Sequence, residues 1–150
     1  MLADPRVAAT MGGARNREQT AEHLAAAHEG WARHGFGYWM WFDRATGEPV
    51  GRGGLGRAEF DGEPEVEVGW LVAPERWREG LATEIGAAAV EVAFETLGLD
   101  DVVAFTMTTN LASRRVMEKL GFTYEKTAPY KIYGEHALYR RRRVTRAPAA

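Results

Sequence analysis

An α/β (α+β) fold, with a mixed, mostly antiparallel twisted sheet flanked by helices, is what this sequence predicts. Three observations carry that expectation. Residues 36–42 and 50–55 read as strands joined by a turn, so the chain begins its sheet with a hairpin. Strand and helix periods then alternate through the remainder. Glycine and proline occur singly or in short groups between periodic segments, with no internal repeat and no low-complexity linker, so one domain is expected across the 150 residues.

The elements follow in order. Asn16 with Gln19 reads as a capping box, and Leu24, Ala27 and Trp31 recur on one helical face before Gly35, which predicts a helix over 17–34. Residues 43–49 carry turn chemistry between the two hairpin strands, and 57–64 read as an acidic turn. Val66, Val68, Trp70 and Val72 then alternate with Glu65, Glu67, Gly69 and Leu71, the period of a strand, which Pro74 ends. Over 82–97 the only charges are Glu84, Glu91 and Glu95 on one narrow stripe, which predicts a largely buried helix stopped by Gly98. Residues 102–107 read as a strand, Asn110 as an N-cap, 111–120 as a helix and Gly121 as its left-handed stop. Strands near 123–126 and 136–140 complete the chain, and 142–150 is expected to trail as a flexible tail, with Arg140 to Arg143 a solvated basic cluster.

Composition excludes several classes. Without cysteine there is no disulfide, thiolate metal site or cysteine nucleophile, so any thiol chemistry must come from a cofactor. His23, His28, His34 and His136 form no metal-ligand pattern, and no metal is expected. A net charge of -2 gives no general attraction to nucleic acid. No apolar run approaches the roughly 20 residues of a membrane span. The N-terminus lacks the order of a secretion signal, and a cysteine-free chain suits a reducing compartment, so a cytoplasmic location is expected.

Two glycine signals compete. Gly51, Gly53 and Gly56 spell the dinucleotide fingerprint, but no helix follows to offer its N-terminus to a pyrophosphate, so these glycines are read as letting a strand bend or pack closely. Residues 77–84, Trp-Arg-Glu-Gly-Leu-Ala-Thr-Glu, sit between a strand and a buried helix. There the unpaired N–H groups of a first helical turn, with the dipole behind them, suit a phosphate; a plain strand-to-helix turn is the equal alternative.

Four ordered blocks carry a resemblance over about residues 4–141: Glu67-Val68-Gly69-Trp70, the 77–84 loop, Phe94-Glu95-Thr96-Leu97-Gly98-Leu99, and Asn110-Leu111-Ala112-Ser113 leading to Glu118-Lys119-Leu120-Gly121-Phe122. Together they resemble the GNAT N-acetyltransferase superfamily, in particular the group that acetylates ribosomal-protein N-termini. Three departures stand out. Trp77 takes the first position of the phosphate-loop motif, Met117 stands where many relatives carry a tyrosine general acid, and the usual first strand is lacking.

The resemblance implies acetyl-CoA as co-substrate, a primary amine as acceptor (a small molecule or a protein N-terminal α-amine), and a pantetheine arm lying where the 65–72 and 102–107 strands splay apart. It assigns cofactor contacts to Leu71, Val72, Arg78, Glu79, Gly80, Leu81, Ala82, Thr83 and Asn110, the base role to Glu67, and a hydrogen bond to the cofactor sulfur to Ser113. For Glu67 the alternative is an exposed strand carboxylate like Glu65; for Asn110 and Ser113 it is local capping. Tyr38, Trp39, Trp41 and Trp70 are read either as core or as walls of an acceptor pocket. Two other functions stay open: a non-catalytic acyl-CoA-binding domain, and a partner-binding module that dimerises through an open sheet edge.

Overall fold

The computed structural model describes residues 1–144. Helix α1 (Pro5–Ala8) is capped by Asp4, whose carboxylate accepts from Arg6 N–H; four residues are too short to show a period, yet its Val7 is buried. Helix α2 (Arg17–His34) has the expected bounds. Asn16 and Gln19 exchange hydrogen bonds, and Gly35 closes the helix in the left-handed conformation. Its apolar face is not covered, however: no residue of α2 is buried, and Leu24 is 58% exposed. The helix is held at two places: His23 meets Arg52 of the sheet at 2.8 Å, and in the last turns the Trp31 indole N–H donates to Tyr38 O at 3.1 Å while the ring meets Trp39 edge-on.

Strands β1 (Tyr38–Phe42), β2 (Pro49–Phe60), β3 (Glu63–Val72), β4 (Asp101–Met107), β5 (Thr123–Pro129) and β6 (Glu135–Arg142) form one sheet in the order β1-β2-β3-β4-β6-β5. Every neighbouring pair is antiparallel except β3 and β4. Residues 57–60, expected to turn, instead continue β2, and the reversal occurs at Asp61 and Gly62, both at positive φ. Strand β1 lies at an edge of the sheet among the described residues, with Met40 and Phe42 exposed. The basic cluster is no tail: Arg142 ends β6, Arg140 pairs with Glu65, Asp101 and Glu125, and Arg141 donates to Leu120 O. Of the expected tail, residues 145–150 lie outside the described ones.

Helices α3 (Leu81–Glu91) and α4 (Leu111–Lys119) cover one face. The helix expected over 82–97 ends in a wider π turn, Val92–Thr96, closed by Leu97 N–H on Val92 O. Leu55, Val68, Ala89, Val102, Met117 and Tyr139 fill the core on the helical side, while Phe60, Val103, Ala128 and Leu138 with Phe105 and Tyr130 line the other face. The β3 alternation divides accordingly, with Val68 and Trp70 on the helical side and Glu65 and Glu67 opposite. No helix of the described residues is long and apolar enough to cross a membrane.

The glycines of β2 are packing glycines. A Cβ on Gly53 would collide with Ile85 of α3 and approach Gly69 O to 2.6 Å. Gly53→Ala should therefore force α3 off the sheet and cost about 1–3 kcal/mol. Urea unfolding checks this: the midpoint falls while the m-value holds, and an unchanged midpoint would contradict the packing.

Candidate functional site

The site begins where the sheet comes apart. Strands β3 and β4 share a register at one position, Glu67 with Val103, whereas β2 and β3 pair along their length. Ala73 N–H donates to Val50 O at 2.8 Å, and antiparallel alternation then turns the backbone groups of Leu71 toward β2 and those of Trp70 and Val72 toward β4. Of Leu71 and Val72, both expected to contact the cofactor, only Val72 therefore turns its backbone groups to the gap. Leu71 is committed to the β2 ladder opposite Arg52, and Val72 O already accepts from the Trp77 indole N–H at 2.9 Å. The amides of Trp70 and Val72 are the ones facing the opening.

The Trp77 bond also folds the following loop back onto the end of β3. Arg76 binds Glu79 at 2.7 Å and Asp43 at 3.0 Å, which fixes the loop and spends the Glu79 carboxylate within it. Arg78 and Gly80 take left-handed backbone at φ 69 and 82. Gly80 caps α3 without a side-chain hydrogen bond, so the first-turn amides of Leu81, Ala82 and Thr83 stand uncapped at the positive end of the helix dipole. Arg78, Glu79 and Gly80 are exposed.

On the sheet face away from α3, the two strand carboxylates part company. Glu65 is tied to Arg140 at 2.6 Å. Glu67 instead accepts from the Tyr38 hydroxyl at 3.1 Å, with no ion-pair partner among the described residues. The Tyr38 ring lies across the sheet over Gly56 and Gly69; a Cβ on Gly69 would sit 2.6 Å from its oxygen. Burial pushes the Glu67 carboxyl up to about 7, against the Tyr38 hydrogen bond and the charges of Arg52 and Lys131. Burial, then the Glu67 charge, raises the Tyr38 phenol well above its ordinary value. Glu67 is thus half-buried and hydrogen-bonded where Glu65 is ion-paired, with its carboxyl pushed toward neutrality.

Beyond the gap, Asn110 caps α4 as expected. Its Oδ1 accepts from Ser113 N–H, which is the cap, and its Nδ2 donates one proton to Thr106 Oγ1 of β4 at 3.1 Å. Ser113 Oγ accepts from the Trp70 indole N–H at 3.1 Å and retains its own proton to donate. Met117 is 2% exposed, a core residue. Among the described residues no group of His, Cys, Asp or Glu is arranged to hold a metal. Sequence reasoning missed Arg52 and His23, and treated Tyr38 only as an aromatic; a tyrosine over two glycines facing an acid was the available signal.

Removing the Tyr38 hydroxyl removes an interaction that holds the Glu67 pKa down. Tyr38→Phe should move the Glu67 titration above about 7 in a carboxyl-carbon NMR titration; an unmoved or lower value would break the assignment. With a folded value of about 7 against an ordinary 4.5, Glu67 contributes stability that is present at acid pH and lost as pH rises through 7. Glu67→Gln should therefore gain stability relative to the parent between pH 5 and 8, read as a rising difference in melting temperature.

Comparison with known proteins places this geometry. Residues 1–123 match the family model described as an acetyltransferase (GNAT) domain. The FsC-acetyl coenzyme A-N(2)-transacetylase of Aspergillus fumigatus is 40% identical over 99 residues, which span 62% of this chain and 41% of that protein. An acetyltransferase from Agrobacterium tumefaciens superposes with a TM-score of 0.81 at 29% identity, covering 95% of this chain and 81% of that one. The Salmonella typhimurium protein yncA, solved with its cofactor acetyl-CoA, shares the fold at a TM-score of 0.68 and 24% identity, over 87% of this chain and 78% of that one.

Proposed function

Because this chain belongs to the GNAT acetyltransferase family, we propose that it binds acetyl-CoA between β3 and β4 and transfers the acetyl group to a primary amine, in its finer form a protein N-terminal α-amine. The observation that carries the reading is the parting of β3 from β4 immediately beyond Glu67, with the uncapped start of α3 joined to the same strand end through Trp77. The lean toward a protein α-amine rests on the sequence resemblance to the ribosomal-protein group.

The chain's own groups divide the work. The amides of Leu81, Ala82 and Thr83 with Gly80 would hold the pyrophosphate, and the exposed Arg78 side chain would reach the cofactor's phosphates. The Trp70 and Val72 amides face the gap, where donors aimed at a forming oxyanion are worth about 3 kcal/mol each. Glu67, titrating near 7, would take the proton of the incoming ammonium above that pH. Acetyl-CoA, when bound, supplies the thioester. A departing thiolate has a pKa of about 8.5 by analogy with cysteine, so the hydrogen bond available from Ser113 is help enough without an acid at Met117.

Thermal unfolding tests the cofactor half. Acetyl-CoA and coenzyme A at a hundredfold excess should raise the melting temperature by about 5–10 °C, and NAD should not; no shift with either would remove the reading. Glu67→Gln should keep that shift while kcat falls about 10²- to 10⁴-fold. Unchanged turnover in that variant would remove Glu67 from the base role, and a parent that binds acetyl-CoA yet releases no thiol with any amine would return the chain to the acyl-CoA-binding alternative.

A further inference from the structure

Arg52 is a charged side chain beside the site that the acetyl-transfer chemistry leaves unused. It rises from β2 on the Glu67 face, and its guanidinium sits 5.3 Å from the centre of the Tyr38 ring, whose hydroxyl bonds Glu67. Its Nη1–H donates to His23 Nε2 at 2.8 Å, which requires a neutral imidazole; burial, then the charges of Arg52 and Arg15, holds His23 down at about 4. Its Nε–H is closed off from solvent with no acceptor.

No carboxylate lies within ion-pair distance of Arg52 among the described residues. The same sheet face gives its other half-buried guanidinium, Arg140, three acids. A desolvated cation left without an anion is costly. Arg15 adds like charge that bears on both Arg52 and His23, and Lys131 adds its charge at Glu67. The one acid in reach, Glu67, is held by Tyr38 and loses its charge whenever it takes a proton from the amine.

Resting on the acetyltransferase reading above, we propose that the acceptor is a primary amine that also bears a carboxylate, paired with Arg52 while the amine meets Glu67, and that Arg52 thereby selects against polycationic amines. The Tyr38 ring sets the spacing: its hydroxyl end marks the amine, its face the carboxylate. Guanidinium suits a planar carboxylate through paired N–H donors.

The test measures acetyl-CoA-dependent thiol release with matched acceptors: free L-amino acids against their decarboxylated amines, peptides with an acidic or a neutral second residue, spermidine and kanamycin. The carboxylated member of each pair that reacts should be favoured by about tenfold or more in kcat/KM. Arg52→Met should erase that preference by raising the KM of the carboxylated acceptor, with the KM for acetyl-CoA unchanged and the cofactor's thermal shift as the check on folding. Arg52→Lys, which keeps the charge and loses the fork, should retain part of it. Preference for spermidine, kanamycin or the decarboxylated amines, a preference that survives Arg52→Met, or failure of every carboxylated amine in a protein that acetylates one of the others would each overturn the proposal. A chain that does not bind acetyl-CoA, or that binds it and acetylates none of these amines, would instead fail the acetyltransferase reading on which it rests.

Discussion

Strand β3 is paired along its length with β2 on one side and at a single register position with β4 on the other. Backbone groups inside a sheet are normally all satisfied, so a strand that leaves its neighbour must give those groups another use. Here Val72 O goes to Trp77, which also brings the loop before α3 to the strand end. The same parting leaves the Trp70 and Val72 amides facing an opening whose far side is β4. The position of the loop before α3, the donors along the gap and the carboxylate at its closed end all follow from where that parallel pairing stops.

A second constraint is the close packing on either face of β2 and β3. On the helical side Gly51 and Gly53 let Ile85 approach the backbone; on the other, Gly56 and Gly69 let the Tyr38 ring lie flat enough to reach Glu67. That ring desolvates the acid and also hydrogen-bonds it, two effects of opposite sign on its pKa, of which burial is the larger. A carboxyl held near 7 destabilises the fold at neutral pH relative to a neutral residue, a cost that proteins tolerate at sites needing a base.

What was legible in the sequence was local. The Asn16–Gln19 box, the stop at Gly35, the β3 alternation and the Asn110 cap each depend on residues within one or two turns, and all stand as read. Periodicity told which residues of α2 share a face but not whether anything covers it, and Leu24 remained exposed. Arg57, Ala58, Glu59 and Phe60 do alternate, with Phe60 buried, but so short a run beside Asp61-Gly62 and the acidic residues that follow reads as part of the turn. In the candidate site, Glu67 and the 77–84 loop were visible as residue types. The Tyr38–Glu67 bond joins positions 29 apart and the Arg140–Glu65 pair positions 75 apart, and neither spacing leaves a local pattern. The commitment of Leu71 to β2 depends on the phase of a ladder, which composition does not encode.

Amide chemical-shift mapping on titration with coenzyme A tests the central claim most directly, because it reports position without requiring turnover or an acceptor. Perturbations concentrated at Trp70, Val72 and residues 80–83, with the Leu71 amide moved far less, are what a ligand seated in the gap between β3 and β4 produces. Saturable binding whose perturbations fall elsewhere, along the exposed β1 edge or around α2, would contradict it.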